Sequence, residues 1–139
     1  AKDLQPKLEA EGMTFGFHNH KKEFMKTEEG YIPYFELTGN TDIKLELDTY
    51  WAYAAGEDPV ELMEKFKDRL HFIHIKDGDS EGNGKPLGLG TAPVAAVYRK
   101  AREFHIPMVV ESETLTPSGI EEARICFDYL KKLERQFEA

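Results

Sequence analysis

Helical and strand-like segments alternate along the chain, and this alternation restricts the folds that it can adopt. Residues 59–70 place apolar side chains at helical spacing, whereas residues 43–47 alternate between apolar and polar side chains as a strand does. The order is one helix followed by four strand–helix units. Strands separated by helices form parallel sheets with right-handed crossovers. The sequence therefore predicts an α/β fold built on four parallel strands.

The predicted elements fill the chain with short connections between them. Ser118 forms a capping box with Glu121, which marks the start of the last helix. No segment is rich enough in Gly, Ser or Pro to act as a linker, so we expect residues 1–139 to form a single domain. The expected strands are 13–17, 43–47, 71–75 and 107–110; the expected helices are 3–11, 33–37, 59–70, 92–104 and 118–137; the expected loops are 23–30 and 78–90.

The two faces of each predicted strand differ in polarity. Successive side chains point to opposite faces of a strand, so Leu45 and Leu47 share an apolar face while Asp48 lies on the polar one. The polar face of every strand ends in an ionisable side chain at the carboxyl end of that strand. These side chains are His18, Asp48, His74 and Glu111.

The four strand-end side chains have the chemistry of a metal site. Barrel enzymes hold their catalytic residues where the carboxyl ends of the strands converge. Imidazole and carboxylate groups are ligands for Mn²⁺, Mg²⁺, Co²⁺ or Zn²⁺. We therefore predict that the four side chains hold one divalent metal ion. Taken singly, each of them also fits a solvated strand end or a hydrogen-bonded structural pair.

Charge, cysteine content and hydropathy argue against several other classes of protein. The net charge of −8 disfavours binding to DNA or RNA through phosphate neutralisation. The single cysteine, Cys126, cannot form a disulfide within the chain, and we expect it to be a buried core residue. No segment approaches the ~20 apolar residues of a membrane span, and no secretory signal is visible. We therefore expect a cytoplasmic protein without a nucleic-acid or membrane partner.

Four segments resemble the second half of the sugar phosphate isomerase/epimerases in the xylose isomerase-like superfamily, which also includes inosose dehydratases and abasic-site endonucleases. The segments are GFHNHKKEF, LELDTYWAYAAGEDP, HIKDGD and VVESE, and the resemblance covers nearly the whole chain. It implies a (βα)8 TIM barrel, of which this chain would form the C-terminal (βα)4 half. It also implies one divalent metal ion held by Glu, Asp, His and Glu. Asp48, His74 and Glu111 match the last three of these ligands.

The chain departs from the epimerase pattern at two positions. His18 stands where the epimerases have a Glu ligand; an imidazole still binds a metal, but it is a poor substitute for a carboxylate base. His20 and Glu23 are the alternatives for completing the site. Trp51 stands where epimerases often carry His, and we expect it to form an apolar platform for one face of a sugar, with a core role as the alternative.

The resemblance implies chemistry that begins with removal of a proton next to a carbonyl group. Glu111 is the first candidate for the base, doubling as a metal ligand, and Lys76 is the second catalytic candidate, for binding a substrate oxygen. The alternative for Lys76 is a salt bridge to Asp77 or Glu113, and Asp77 is expected to orient the loop that follows it. We expect the residues that bind substrate to be His20, Trp51 and Glu113.

The sequence is compatible with several functions. The first is a divalent-metal-dependent sugar or sugar-phosphate isomerase/epimerase with a small carbohydrate substrate. The second is a dehydratase or lyase acting on keto-inositols or keto-glycosides, and the third is a sugar-binding module that needs no metal. An abasic-site endonuclease would need a basic groove, which the negative charge disfavours. Four strand–helix units leave two open sheet edges, so we also expect self-association through them.

Overall fold

A four-stranded parallel sheet forms the centre of the computed structural model, which describes residues 3–138. The strands follow the order β1-β2-β3-β6, so sequence neighbours pair through helical crossovers, as the sequence predicts. A separate two-residue antiparallel ladder joins β4 to β5. The strand bounds are β1 Gly16–His18, β2 Lys44–Asp48, β3 Leu70–Ile75, β4 Asp77–Gly78, β5 Gly84–Lys85 and β6 Met108–Val110.

Six α-helices and one short 3-10 helix are distributed between the strands of residues 3–138. Asp58 begins α4 by accepting hydrogen bonds from the backbone N–H groups of Val60 and Glu61, and Ser118 begins α6 by accepting one from Glu121. The helices are α1 Gln5–Ala10, α2 Pro33–Asn40, α3 Thr49–Ala54, α4 Pro59–Phe66, α5 Val94–Phe104 and α6 Gly119–Phe137, and the 3-10 helix is Lys21–Phe24.

The apolar face of the sheet and the helices form the hydrophobic core. Leu45 and Leu47 of β2 and Ile73 and Ile75 of β3 are fully buried, and they belong to the same cluster as the apolar faces of α4 and α5. Burial of a side chain of this size contributes ~1.5–3 kcal/mol. Cys126 of α6 also belongs to this core, as expected, and burial raises the pKa of its thiol. The opposite, polar face of the sheet is therefore left for the site.

The structure corrects several of the expected boundaries. The first strand lies at Gly16–His18 instead of 13–17, and α4 ends at Phe66, so that Leu70 already belongs to β3. The expected loop 23–30 begins inside the 3-10 helix. The expected loop 78–90 carries the β4–β5 ladder, and the pattern gave no sign of α3, which follows β2 directly. No helix within residues 3–138 combines the length and the apolar character needed to cross a membrane.

Asp77 organises the long segment that follows β3, as the sequence suggested. Its carboxylate is 2% exposed and accepts four backbone N–H hydrogen bonds of 2.8–3.2 Å. Glycine is required at position 90, because a Cβ atom there would overlap the Asp77 carboxylate. The four donors are Gly78, Gly88, Gly90 and Ala92.

Candidate functional site

The register of the parallel strands brings the four predicted strand-end side chains together. In the sheet, Asp48 lies beside His74, and His18 lies one row earlier beside Glu46. Glu111 directly follows β6, where its N–H donates to the carbonyl oxygen of Ile75. One ligand atom from each of four side chains lies within 4.8 Å of the others; these side chains are His18, Asp48, His74 and Glu111.

Asp48 has the most unusual environment of this group. Its side chain is fully buried; Oδ1 accepts from the N–H of Trp51 at 2.9 Å, and Oδ2 has no hydrogen-bond partner among residues 3–138. Burial raises the pKa of this carboxyl to about 7, although the Trp51 hydrogen bond and the Lys76 charge oppose that effect. A bound cation would supply the interaction that Oδ2 lacks.

Asn19 fixes the position of Asp48 relative to the neighbouring strand. Its side-chain amide donates to the carbonyl oxygen of Asp48 at 3.1 Å and accepts from the Asp48 N–H at 3.0 Å. Asn19 is fully buried, so these two bonds join the end of β1 to the end of β2 away from water. The Asn19 amide thereby fixes the relative positions of the strand ends that carry His18 and Asp48.

His74 lies between two carboxylates. Its Nδ1 is 2.5 Å from Oε2 of Glu111, and its Nε2 is 2.7 Å from Oε1 of Glu46. Burial raises the pKa of Glu111, but the hydrogen bond with His74 and the nearby Lys76 charge outweigh burial and lower it overall. Desolvation and the proximity of His74 lower the pKa of His18. A deprotonated Glu111 and a neutral His18 are the protonation states that bind metals.

The donor set fits a divalent cation. Two imidazoles and two carboxylates are a ligand set for the divalent ions of Mn, Co, Zn and Fe, and the unpartnered Oδ2 of Asp48 leaves one buried acceptor unsatisfied. The side chains of His18, His74 and Glu111 are 16–26% exposed, so the group opens to one side. A substrate could therefore approach the ion that these residues would hold.

Lys76 is buried next to this group, and its ammonium lies near the carboxylates of Glu113 and Glu111. Its side chain is 1% exposed; Nζ lies 2.5 Å from Oε2 of Glu113 and 3.8 Å from Oε1 of Glu111. The ammonium also lies 4.8 Å from the centroid of the Trp51 ring. The expected alternative, a salt bridge to Glu113, is thus present, and it places Lys76 beside the candidate ligand Glu111.

The predicted substrate-binding residues His20 and Trp51 line an open groove beside the ligand group. Their ring centroids are 6.1 Å apart, and the His20 ring meets the His18 ring edge-on at 4.8 Å. The groove has a volume of about 500 Å³ and continues along the 3-10 helix to Met25. Glu23, an alternative for completing the site, instead uses its carboxylate to accept a hydrogen bond from the backbone N–H of His20 at 2.7 Å.

Two residues of the site were missed in the sequence. Glu46 has the same strand parity as Asp48, and this signal was available; its carboxylate contacts both His18 and His74. Asn19 has no signal in a strand pattern, because it lies just past β1 and acts through hydrogen bonds to the backbone of another strand.

Comparisons with known proteins identify the family of the chain. A family model described as xylose isomerase-like TIM barrel matches residues 2–133. Inosose dehydratase of Geobacillus kaustophilus (strain HTA426) is 36% identical over 66 residues, which cover 48% of this chain and 21% of that protein.

Solved structures extend the similarity over most of the chain. A sugar phosphate isomerase/epimerase from Parabacteroides distasonis ATCC 8503 superposes with a TM-score of 0.76 at 30% identity, covering 94% of this chain and 50% of that one. A further sugar phosphate isomerase/epimerase structure from the same organism gives a TM-score of 0.77 at 28% identity, covering 91% and 47%. The chain thus spans about half the length of these structures. With the family model matching nearly its whole length, the chain belongs to the xylose isomerase-like TIM barrel family.

Proposed function

We propose that this chain forms the metal-binding part of a divalent-metal-dependent sugar isomerase or epimerase that removes a proton next to a carbonyl group. One observation carries the proposal: four ligand atoms lie within 4.8 Å of one another, and the buried Oδ2 of Asp48 has no hydrogen-bond partner among the described residues. The relatives named sugar phosphate isomerase/epimerase support the choice of reaction class.

His18, Asp48, His74 and Glu111 are the residues that would hold the ion. When bound, a divalent cation withdraws electron density from a carbonyl oxygen, which makes the neighbouring C–H bond more acidic. The chain itself supplies the rigid frame for this chemistry. Asn19 locks the end of β1 to the end of β2, and Trp51 donates to Asp48, so the ligand positions are fixed before any ion arrives.

Glu111 is the proposed base. Its lowered pKa keeps the carboxylate deprotonated at neutral pH, and its 26% exposed side chain reaches the open side of the site. Lys76 stands 3.8 Å from it and would donate a hydrogen bond to a substrate oxygen on which negative charge develops. Glu113 holds the ammonium in place and would contact a substrate hydroxyl.

Trp51 and His20 are the proposed contacts to the rest of the carbohydrate. The half-buried indole presents apolar area next to the buried Lys76, and His20 lines the same groove with a polar ring. An apolar ring face beside polar groups matches the two kinds of surface that a sugar presents.

A second candidate function is dehydration of a keto sugar or keto-inositol. The similarity to inosose dehydratases favours it, as does the presence of His18 where a second carboxylate base would be needed for epimerisation. Dehydration needs a proton donor for the departing hydroxyl group, and the Lys76 ammonium, which is paired with Glu113 and lies 3.8 Å from Glu111, is the proposed donor.

The first experiment measures bound metal by elemental analysis of protein purified without chelator. About one ion per chain is expected, and it should be lost in Asp48→Ala and His74→Ala. The loaded protein is then incubated with fructose or an inosose in D₂O. Deuterium incorporation without loss of water indicates isomerase or epimerase chemistry, and a product that has lost one water indicates dehydration. Metal-free wild type after soaking with Mn²⁺ would refute the proposal.

We further propose that the chain is cytoplasmic and self-associates through its sheet edges. β1 and β6 are the outer strands of the described sheet, and Val109 and Val110 at one edge are 45% and 41% exposed. Open edges and exposed apolar side chains favour association. Sedimentation should therefore show a dimer or larger species; a compact monomer at high concentration would refute it.

A further inference from the structure

The carboxylate of Glu46 lies behind the two candidate histidine ligands. Its Oε1 is 2.7 Å from Nε2 of His74 and 3.3 Å from Nδ1 of His18, where the contact is a close approach and not a formed hydrogen bond. We propose that Glu46 positions both imidazoles and selects the nitrogen that each presents to the metal: Nδ1 of His74 and Nε2 of His18. This inference rests on the metal site proposed above.

The surroundings of His74 determine which of its nitrogens is available. Nε2 faces Glu46, whereas Nδ1 faces Oε2 of Glu111, which is itself a candidate ligand atom. An ion held by Glu111 would therefore find Nδ1 next to it and leave Nε2 hydrogen-bonded to Glu46. Histidines that bind metals commonly donate their other N–H to a carboxylate, which fixes the ring and raises its basicity.

The sheet register determines which nitrogen of His18 is available. It pairs with Glu46 across β1 and β2, so the two side chains leave the backbone in the same row and Nδ1 points at the carboxylate. The opposite ring atom, Nε2, is then the one left for a ligand. One carboxylate thus faces one nitrogen of each ring.

The position of Glu46 is rigid, which suits a residue that orients others. It lies in β2, which pairs with β1 on one side and with β3 on the other. The side chain is 25% exposed and has two imidazoles beside it. Charge supports the same role: with neutral imidazoles the four ligands carry two negative charges, and Glu46 adds a third beside the cation.

The test compares Zn²⁺ affinity and ligand nitrogens in wild type and Glu46→Gln. Glutamine has the same shape without the charge, so the fold should be retained, as thermal unfolding of the metal-free proteins can verify. We expect Glu46→Gln to bind Zn²⁺ about 10–100-fold more weakly, as is usual when the partner of a ligand is lost. Glu28→Gln, which removes one exposed charge from a loop, is the matched control and should bind like wild type.

Long-range ¹H–¹⁵N spectra of the Zn²⁺-loaded protein supply a second readout that is independent of activity. We expect the Nδ1 resonance of His74 and the Nε2 resonance of His18 to shift on coordination, and Nε2 of His74 to remain protonated. Coordination through Nε2 of His74, or unchanged Zn²⁺ affinity in Glu46→Gln, would overturn the role of Glu46 while leaving the metal site intact. Absence of Zn²⁺ binding by wild type would overturn both proposals.

Discussion

Asp48 ends β2 and Asp77 begins β4, two residues after β3; both aspartates are buried, but their hydrogen bonding differs sharply. The Asp77 carboxylate accepts four backbone N–H hydrogen bonds, two on each oxygen. The Asp48 carboxylate accepts one, from Trp51, and its second oxygen has no partner within residues 3–138. Buried charged groups normally have their hydrogen-bonding capacity filled. The hydrogen-bonding capacity of Asp77 is therefore filled by the protein itself, whereas Asp48 keeps one buried acceptor free among the described residues, as the proposed metal site requires.

Hydrogen bonding alone distinguishes the structural role of Asp77 from the metal-binding role proposed for Asp48. Both side chains are at most 2% exposed, so burial does not distinguish them. Asp77 holds the segment between β3 and α5, while Asp48 stands beside His74 with two further candidate ligands, His18 and Glu111, nearby. Substitutions at the two positions should accordingly change different properties of the protein.

Replacement of Asp77 should have the largest effect on stability. In Asp77→Ala, four backbone N–H groups, one buried and three partly buried, lose their acceptor at ~1 kcal/mol each, so we expect the free energy of unfolding to fall by about 3–5 kcal/mol. Urea titration followed by circular dichroism measures this loss. Asp58→Ala, which removes an exposed aspartate from the start of α4, is the control and should lose only about 1 kcal/mol. Equal losses in the two variants would contradict the structural role of Asp77.

Replacement of Asp48 should change metal-linked stability while leaving the metal-free protein nearly unaffected. Asp48→Asn removes a buried charge with a pKa raised to about 7, so we expect metal-free stability within about 1 kcal/mol of wild type. At a metal concentration 100-fold above the dissociation constant, wild type should gain ~2.7 kcal/mol and the variant none. Thermal unfolding with and without Zn²⁺ measures both quantities. A variant that gains as much as wild type would show that Asp48 is not a ligand.

These two aspartates also show how far the sequence could predict the molecule. The parallel α/β fold could be predicted from the alternation of helical and strand-like hydrophobic patterns along the chain. The place of Asp48 on the polar face of β2 could be predicted from strand parity. Both depend on local patterns. The role of Asp77 was suggested by its place before a glycine-rich loop. Glu46 shares the parity of Asp48, but its contacts with His18 and His74 depend on strand register, which no single strand reveals. The short helix α3 was missed because it begins at Thr49, with no connection after β2.

The loop around Asp77 can be tested without changing the aspartate. Gly90 lies against the Asp77 carboxylate and the Gly78 backbone, so an added methyl group would force them apart. We expect Gly90→Ala to lower the free energy of unfolding by about 1–3 kcal/mol. Gly39→Ala is the matched control, because nothing lies within 4 Å of its Cβ position in α2, and it should stabilise the protein by roughly 0.5–1 kcal/mol. A neutral result at Gly90 would mean that the loop adapts and that Asp77 holds it only weakly.

Glu122 combines features of both aspartates. It is 1% exposed; one oxygen accepts from the Ser112 and Thr114 hydroxyls, and the other has no partner within the described chain. Unlike Asp48, it is absent from the group of ligating side chains found among residues 3–138. An unsatisfied oxygen without neighbouring ligands should give a structural acid, so Glu122→Gln should leave Zn²⁺-linked stabilisation unchanged.

The smallest expected effect is the pH dependence of stability at Glu122. Burial raises the pKa of its carboxyl, but hydrogen bonds from Ser112 and Thr114 outweigh burial and lower it overall. A group with a lowered folded-state pKa stabilises the fold above its unfolded pKa of about 4.3 and loses that contribution as the pH falls through the folded value. We expect Glu122→Gln to be about 1 kcal/mol less stable than wild type at pH 7, with the gap closing below about pH 4. Ser112→Ala, which removes one of the two hydroxyl donors, should show a smaller loss of stability at pH 7 that also disappears at low pH. A stability difference between Glu122→Gln and wild type that stays constant with pH would mean that the hydroxyls do not favour the charged form.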